Sequence, residues 1–298
     1  MKAAAFDYIR ASSADEAVQA LAAHEDAKIL AGGQSLVPLL NMRLARPSAL
    51  VDINRIHDLA YIRRSNGHLA IGALTRHRTA ETSALVRQDA PLLETALRHV
   101  GHVTIRNRGT IGGSAAHADP AAELPATLLA LDAQLVARGP GRERVIPAAE
   151  FFRGYLQTAL EPDEMVTEIR IPVLPAGTQC AVAELTRRSG DFALVAIFTA
   201  LILEPGGQCR DARIAVAGAG EVPVRATAAE AILAGSTLDG DAIAEAAMAV
   251  ARAVDPPSDI HAPAEYRREM ASVLTRRAIG SALSTQQVSD GHSDGGAR

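Results

Sequence analysis

The chain has no tryptophan, and only four Tyr and five Phe among its 298 residues. That leaves few rings on which single-stranded bases could stack. It has two cysteines, Cys180 and Cys209, far apart and outside any CxxC or Cys/His spacing. The chain therefore builds no iron–sulfur cluster or structural zinc site by itself. Two isolated thiols suit a reducing compartment, and the cytoplasm is the expected location. No charge sign prevails: 30 Lys and Arg stand against 34 Asp and Glu, a net of −4. A broad basic face is not indicated, and nucleic-acid binding is not expected. Long hydrophobic runs are missing too. The most apolar stretch, 193–203, is about half of the ~20 residues a membrane span needs and reads as a buried strand. The N-terminal MKAAAFDYIR reaches Asp7 and Arg10 before any long apolar core, so no secretory leader is expected. What remains is an ordinary globular composition, 48% hydrophobic and 21% charged, long enough for two or three domains.

Three regions and a tail can be separated. In residues 1–54, Ser12-Ser13 before Asp15 and Glu16 reads as a capping signal. A helix follows, then a strand at 28–30, a glycine turn, a second helix at 36–44 and a strand at 50–53. That is a compact α/β unit. Residues 55–175 hold strand-like stretches at 69–73, 135–137 and 168–171, with a helix from about 91 to 100 and another expected at 121–131 behind Pro120. Pro172 and Pro175 mark a boundary. Residues 176–284 place strands (193–203, 212–217) before three helices (227–234, 241–253, 264–282), the pattern of an α+β domain with an antiparallel sheet and a helical layer. Residues 285–298 are rich in Gly, Ser and Asp and are expected to be a disordered tail.

Two glycine loops carry the chemistry. Ala31-Gly32-Gly33-Gln34-Ser35 lies between a strand and a helix. Consecutive glycines permit positive φ and expose backbone N–H groups without Cβ obstruction, and a helix start behind them adds its positive dipole end. Gly109-Thr110-Ile111-Gly112-Gly113-Ser114 repeats the ingredients. A plain strand-to-helix turn is the competing reading for either loop alone; two in one chain favour a diphosphate-bearing cofactor. Neither contains the Gly-Lys-Ser/Thr of a P-loop, and neither has GxGxxG spacing. A third stretch, 217–223, fails as a dinucleotide fingerprint because Pro223 stands where the third glycine belongs. Asp119, ahead of Pro120, reads first as a helix N-cap and alternatively as an acceptor for ribose or ribityl hydroxyls, and Glu123 suits a first helical turn. His117 lacks a spaced partner of metal-ligand type. No residue is assigned to catalysis or to a metal.

Four segments, AGGQSLVPLLNMRLARPSALVDINRI, IRNRGTIGGSAAHADPAAELPATLLALDA, EPDEMVTEIRIP and RRSGDFALVA, resemble in order the FAD-binding medium subunit of molybdenum hydroxylases, the group of aerobic carbon monoxide dehydrogenase and xanthine dehydrogenase. VAGAGEVPVRATAAEAIL and EYRREMASVLTRRAI are similar to the C-terminal domain of the same flavoproteins. The resemblance covers nearly all of the chain except the tail. It implies a mixed α+β fold: a two-part FAD-binding domain of the vanillyl-alcohol-oxidase/PCMH type, followed by an α+β domain that covers the flavin. By motif, Ala31 to Ser35 and Thr110 to Ser114 would hold the pyrophosphate, and Glu123 would face the cofactor's hydroxyls. Val100 and Leu160 match apolar positions near the cofactor, and Phe192 the aromatic position against the isoalloxazine ring. The implied role is electron relay through FAD from a [2Fe–2S] subunit to a terminal acceptor. Hydroxylation would take place on a molybdopterin subunit, the three chains forming a heterotrimer that dimerises. A stand-alone FAD oxidase of the same fold and a flavin-free redox scaffold are the alternatives. Three positions depart from the family pattern: Gln34 replaces a common His, Phe192 a Tyr, and Glu184 stands near a common Lys. The last exchanges an ammonium for a carboxylate beside the expected flavin.

Overall fold

The computed structural model describes residues 2–290. Its first unit is a small parallel sheet of β1 (Asp7–Arg10), β2 (Lys28–Leu30) and β3 (Ala49–Asp52), ordered β1-β3-β2. Parallel neighbours require crossovers, and α1 (Ala14–Ala23) and α2 (Leu36–Asn41) supply them. The capping signal is realised at α1. Ser13 Oγ accepts from Glu16 N–H at 3.1 Å, and the Glu16 carboxylate accepts from Ser12 N–H and Oγ–H at 2.7 Å. Ala17, Val18 and Leu21 then pack beside Val51 and Ile53. The second helix is shorter than the expected 36–44, since the backbone turns to φ +60° at Arg43.

The second unit is an antiparallel sheet ordered β4-β5-β10-β6-β7, made of β4 (Ile62–Ser65), β5 (His68–Gly72), β6 (Gln134–Gly139), β7 (Arg142–Pro147) and β10 (Met165–Pro172). Six short helices intervene after β5: α3 (His77–Glu81), α4 (Ala84–Asp89), α5 (Pro91–Leu97), α6 (Val103–Arg106), α7 (Ile111–His117) and α8 (Glu123–Ala130). After β7 come α9 (Ala148–Phe151) and a small hairpin of β8 (Phe152–Gly154) and β9 (Gln157–Thr158). Leu69, Ile71, Leu135 and Ile169 of the sheet pack with Leu92, Leu97, Ile111 and Leu128 of the helices. The helix expected at 121–131 begins only at Glu123. The Asp119 carboxylate accepts from Ala121 N–H at 2.9 Å and its carbonyl from Ala122 N–H, which makes a separate turn ahead of the helix.

The third unit is an antiparallel sheet of β11 (Gln179–Leu185), β12 (Val195–Leu203), β13 (Cys209–Ala217) and β14 (Val224–Arg225), with α10 (Thr227–Leu233), α11 (Gly240–Ala253) and α12 (Ala264–Asp290). Helices cover both of its faces rather than one. Val195, Ile197 and Leu201 join a core with α10, α11 and α12, whereas Ala196, Phe198 and Ala200 face the core built around α5 and α8. That double burial explains why 193–203 is apolar on both faces, at every position but Thr199, rather than at alternate ones. Because α12 continues to Asp290, the first part of the expected tail is helical, and 291–298 lie outside the described residues. No helix among the described residues is long and apolar enough to cross a membrane.

Candidate cofactor site

Loop 31–35 leaves β2 and enters α2. The backbone N–H groups of Gly32, Gly33, Gln34 and Ser35 donate to no group among the described residues. Gly33 sits at φ +70°, the left-handed region that glycine adopts without strain. A Cβ at Gly32 would overlap the Arg108 carbonyl and lie 2.9 Å from Gly109 Cα, so this loop can abut the 108–109 segment that leads into the second loop only with glycine there. Gln34 Nε2 donates back to Gly32 O at 3.0 Å, and the Ser35 side chain caps nothing. The helix behind the loop has only six residues, so the dipole contribution expected from the sequence is small. The loop's capacity for an anion lies in a run of N–H donors, free among the described residues, on a glycine backbone.

Loop 110–114 is built differently. Ile111 N–H donates to Thr75 O at 3.0 Å, Gly112 N–H to Ala73 O at 2.9 Å, and Ser114 N–H to Thr110 O at 3.0 Å. Gly113 N–H donates to Thr110 Oγ1 at 3.1 Å, the N-cap of α7. Of these five residues, Thr110 alone keeps a backbone N–H without a partner among the described residues. Gly112 serves packing: a Cβ there would stand 2.5 Å from Ala73 Cβ. Beneath the loop lies His77, whose Nε2 is 2.9 Å from Thr110 O and 3.1 Å from Ser114 Oγ. A carbonyl only accepts, which assigns the proton to Nε2 and leaves Nδ1 bare and buried without a partner among the described residues. Burial pushes His77 down to about 4, aided by the charges of Arg106 and Arg76 and opposed by the Thr110 bond. With His77 neutral and donating, the Ser114 hydroxyl hydrogen is available to a ligand.

One polar chain ties the loops together. Asn54 Nδ2 donates to Ala31 O at 2.7 Å, Arg76 donates to Asn54 Oδ1 at 2.8 Å, and the other arm of Arg76 donates to Arg108 O. Asp52 completes it, accepting from Asn54 N–H and Nδ2 and from the Tyr8 hydroxyl.

The other sequence-derived residues fall elsewhere around this centre. Glu123, at the start of α8, is 8% exposed, and its carboxyl is pushed up to about 7. Burial is the main cause; Glu184 and Asp119 add to it, and His99 opposes. His99 Nδ1 lies 3.1 Å from Glu184 Oε2, while Glu184 Oε1 is buried with no partner among the described residues. Val100 is buried, with its carbonyl accepting from Arg106. Leu160 follows the β8–β9 hairpin and packs on the core of the second unit. Its segment is clamped by Glu164, which accepts from Arg144 and from Glu161 N–H, while Arg144 also donates to Ala159 O. Phe192 is 57% exposed on the turn before β12. Loop 31–35 abuts Arg108 and Gly109, which lead straight into loop 110–114. Glu123 belongs to a separate acidic group with Glu184 and His99, and Phe192 stands free at the surface. Arg76, Asn54, His77 and His99 were not singled out from the sequence. The available signal was the polar run Thr75-Arg76-His77 directly behind the buried strand.

A run of free N–H donors, an obligatory glycine contact between two loops, an available Ser114 hydroxyl and a partly buried guanidinium together suit a diphosphate ester. Among the described residues, no cluster of His, Cys, Asp and Glu suits a metal ion. Residues 4–174 match the family described as the FAD binding domain in molybdopterin dehydrogenase, and residues 181–282 the CO dehydrogenase flavoprotein C-terminal domain. The 6-hydroxypseudooxynicotine dehydrogenase complex subunit alpha of Paenarthrobacter nicotinovorans is 46% identical, over 95% of this chain and 96% of that protein. The carbon monoxide dehydrogenase medium chain of Afipia carboxidovorans is 39% identical, over 92% and 95% respectively. A solved structure of carbon monoxide dehydrogenase from Hydrogenophaga pseudoflava, lacking the Mo-pyranopterin moiety of its molybdenum cofactor, superposes with a TM-score of 0.92 at 38% identity, covering 95% of this chain and 99% of that one. The chain belongs to the molybdopterin-dehydrogenase FAD-binding family and is an FAD-binding medium subunit of the molybdenum hydroxylase type.

Proposed function

We propose that this family member holds the FAD diphosphate on loop 31–35 against loop 110–114, and that it relays electrons from a [2Fe–2S] partner subunit to a terminal acceptor. When bound, FAD supplies a group that exchanges electrons singly or in pairs. This chain's own residues bind, orient and shield it. Gly32 to Ser35 offer free N–H donors, and Thr110 and Ser114 add hydroxyls from the second loop. Glu123, protonated up to about pH 7, both donates to and accepts from ribityl or ribose hydroxyls, with Asp119 as a further acceptor. Val100 and Leu160 supply apolar walls. The exposed ring of Phe192 covers the isoalloxazine and excludes water from that face. In this reading residues 1–54 and 55–175 enclose the cofactor, and 176–284 cover it.

Hydroxylation then belongs to a molybdopterin partner subunit, the three chains forming a heterotrimer that dimerises in the cytoplasm. The observation that carries the reading is the set of N–H groups in loop 31–35 without partners among the described residues, next to the segment that leads into a second glycine loop. The test is a visible spectrum of the purified chain, followed by heat release and identification of the chromophore. Flavin bands and released FAD are expected. A chain that takes up no FAD, alone or with its partner subunits, contradicts the proposal.

A further inference from the structure

Arginines removed from water are normally neutralised, because an unpaired buried charge is costly. The chain follows this rule closely. Arg106 pairs with Glu81, Arg144 with Glu164, Arg213 with Asp132, Arg225 with Glu230 and Arg267 with Asp259. Every other arginine that is at least partly buried among the described residues has a carboxylate within 4.0 Å, except Arg76. The Arg76 guanidinium is partly buried and bonds only neutral oxygens, the Arg108 carbonyl and Asn54 Oδ1. Asp52 is near enough to be felt but is not bonded to it, since its oxygens are engaged by Asn54 and Tyr8. Arg108 adds a second positive charge nearby, and its side chain bonds nothing among the described residues. The unpaired charge sits where the two glycine loops meet, because the carbonyl that Arg76 holds is the one Gly32 abuts.

We infer that Arg76 is the counter-charge for the diphosphate, a binding residue as well as the tie between the loops. The inference rests on the placement of FAD proposed above. A ligand diphosphate supplies the negative charge that every other buried or partly buried guanidinium among the described residues finds in a carboxylate.

The test uses the full chain depleted of FAD, titrated with FAD and with ADP at low and moderate salt. Arg76→Gln keeps hydrogen-bonding groups and removes the charge; Arg76→Lys keeps the charge and loses the fork geometry. Arg76→Gln is expected to weaken FAD and ADP binding about 10- to 100-fold, the fold-change of one charge-assisted contact. It should also flatten the salt dependence of affinity. Arg76→Lys should recover most of the loss and the wild-type salt dependence. Circular dichroism of both variants checks folding. If Arg76→Gln does not fold, the comparison of Arg76→Lys with wild type decides, and a flattened salt dependence in Arg76→Lys overturns the inference. Wild-type affinity in Arg76→Gln overturns it too, as does equal weakening of both variants with unchanged salt dependence, the mark of a neutral tie. Failure of the wild-type chain to bind FAD or ADP sinks the placement of FAD itself.

Discussion

Loops 31–35 and 110–114 read almost alike, a glycine pair beside small polar residues, yet their backbones are used in opposite ways. The first leaves four consecutive N–H groups without partners among the described residues. The second commits nearly all of its own to Thr75, Ala73 and Thr110. Its glycine at 112 exists to let α7 lie on Ala73. The difference teaches that a glycine pair signals two distinct needs, access for a ligand and close approach of backbone to backbone. Under the proposed placement of FAD, the loops take separate parts: the second, held by its own hydrogen bonds, backs the first, which presents its donors.

That division of labour predicts a graded set of stability effects in the FAD-depleted chain. The largest belongs to Gly112→Val, which drives a branched side chain into Ala73 in a fully packed site. Overpacking of this kind is expected to cost about 3 kcal/mol in denaturant unfolding. A near-wild-type midpoint would erase the assignment of the second loop to packing.

Next comes His77, which folding holds neutral with a value of about 4 against an ordinary 6.5. Between these values the unfolded chain binds a proton that the folded chain refuses, so stability is whole above about pH 6.5 and falls as pH drops toward 4. Integrated over the window, the loss approaches ~3 kcal/mol. His77→Gln should flatten that acid limb, measured as unfolding free energy against pH; an unchanged limb would assign it to other groups. Thr110→Ala removes the α7 cap and is expected to cost about 1 kcal/mol, with Thr110→Ser restoring most of it. Gln34→Ala, at an exposed position of the first loop, should change stability by less than about 0.5 kcal/mol. A larger cost there would mean that the first loop is structural as well.

Much of this arrangement was legible in the sequence, because it rests on local rules. The Ser13 cap, the strand at 28–30 and the two glycine loops follow from capping chemistry, hydrophobic pattern and the absence of a Cβ. What could not be read are contacts that join distant segments. Asn54, Arg76 and Arg108 meet across more than fifty residues, and the polar run Thr75-Arg76-His77 behind the strand does not by itself show what Arg76 is buried against. The late start of α8 was hidden for a related reason. Pro120 and Asp119 suit a helix start, but their hydrogen bonds close a separate turn first. The apolar run at 193–203 announced a buried strand without revealing that helices from two units would cover its opposite faces.

The central claim, that the first loop binds and the second supports, is most directly tested by backbone hydrogen exchange of the FAD-depleted chain with and without FAD. Amides 32–35 should exchange fast without FAD and become protected with it, whereas amides 111–114 should be protected in both states. Fast exchange at 111–114 that slows on FAD addition, with 32–35 unchanged, would contradict the account.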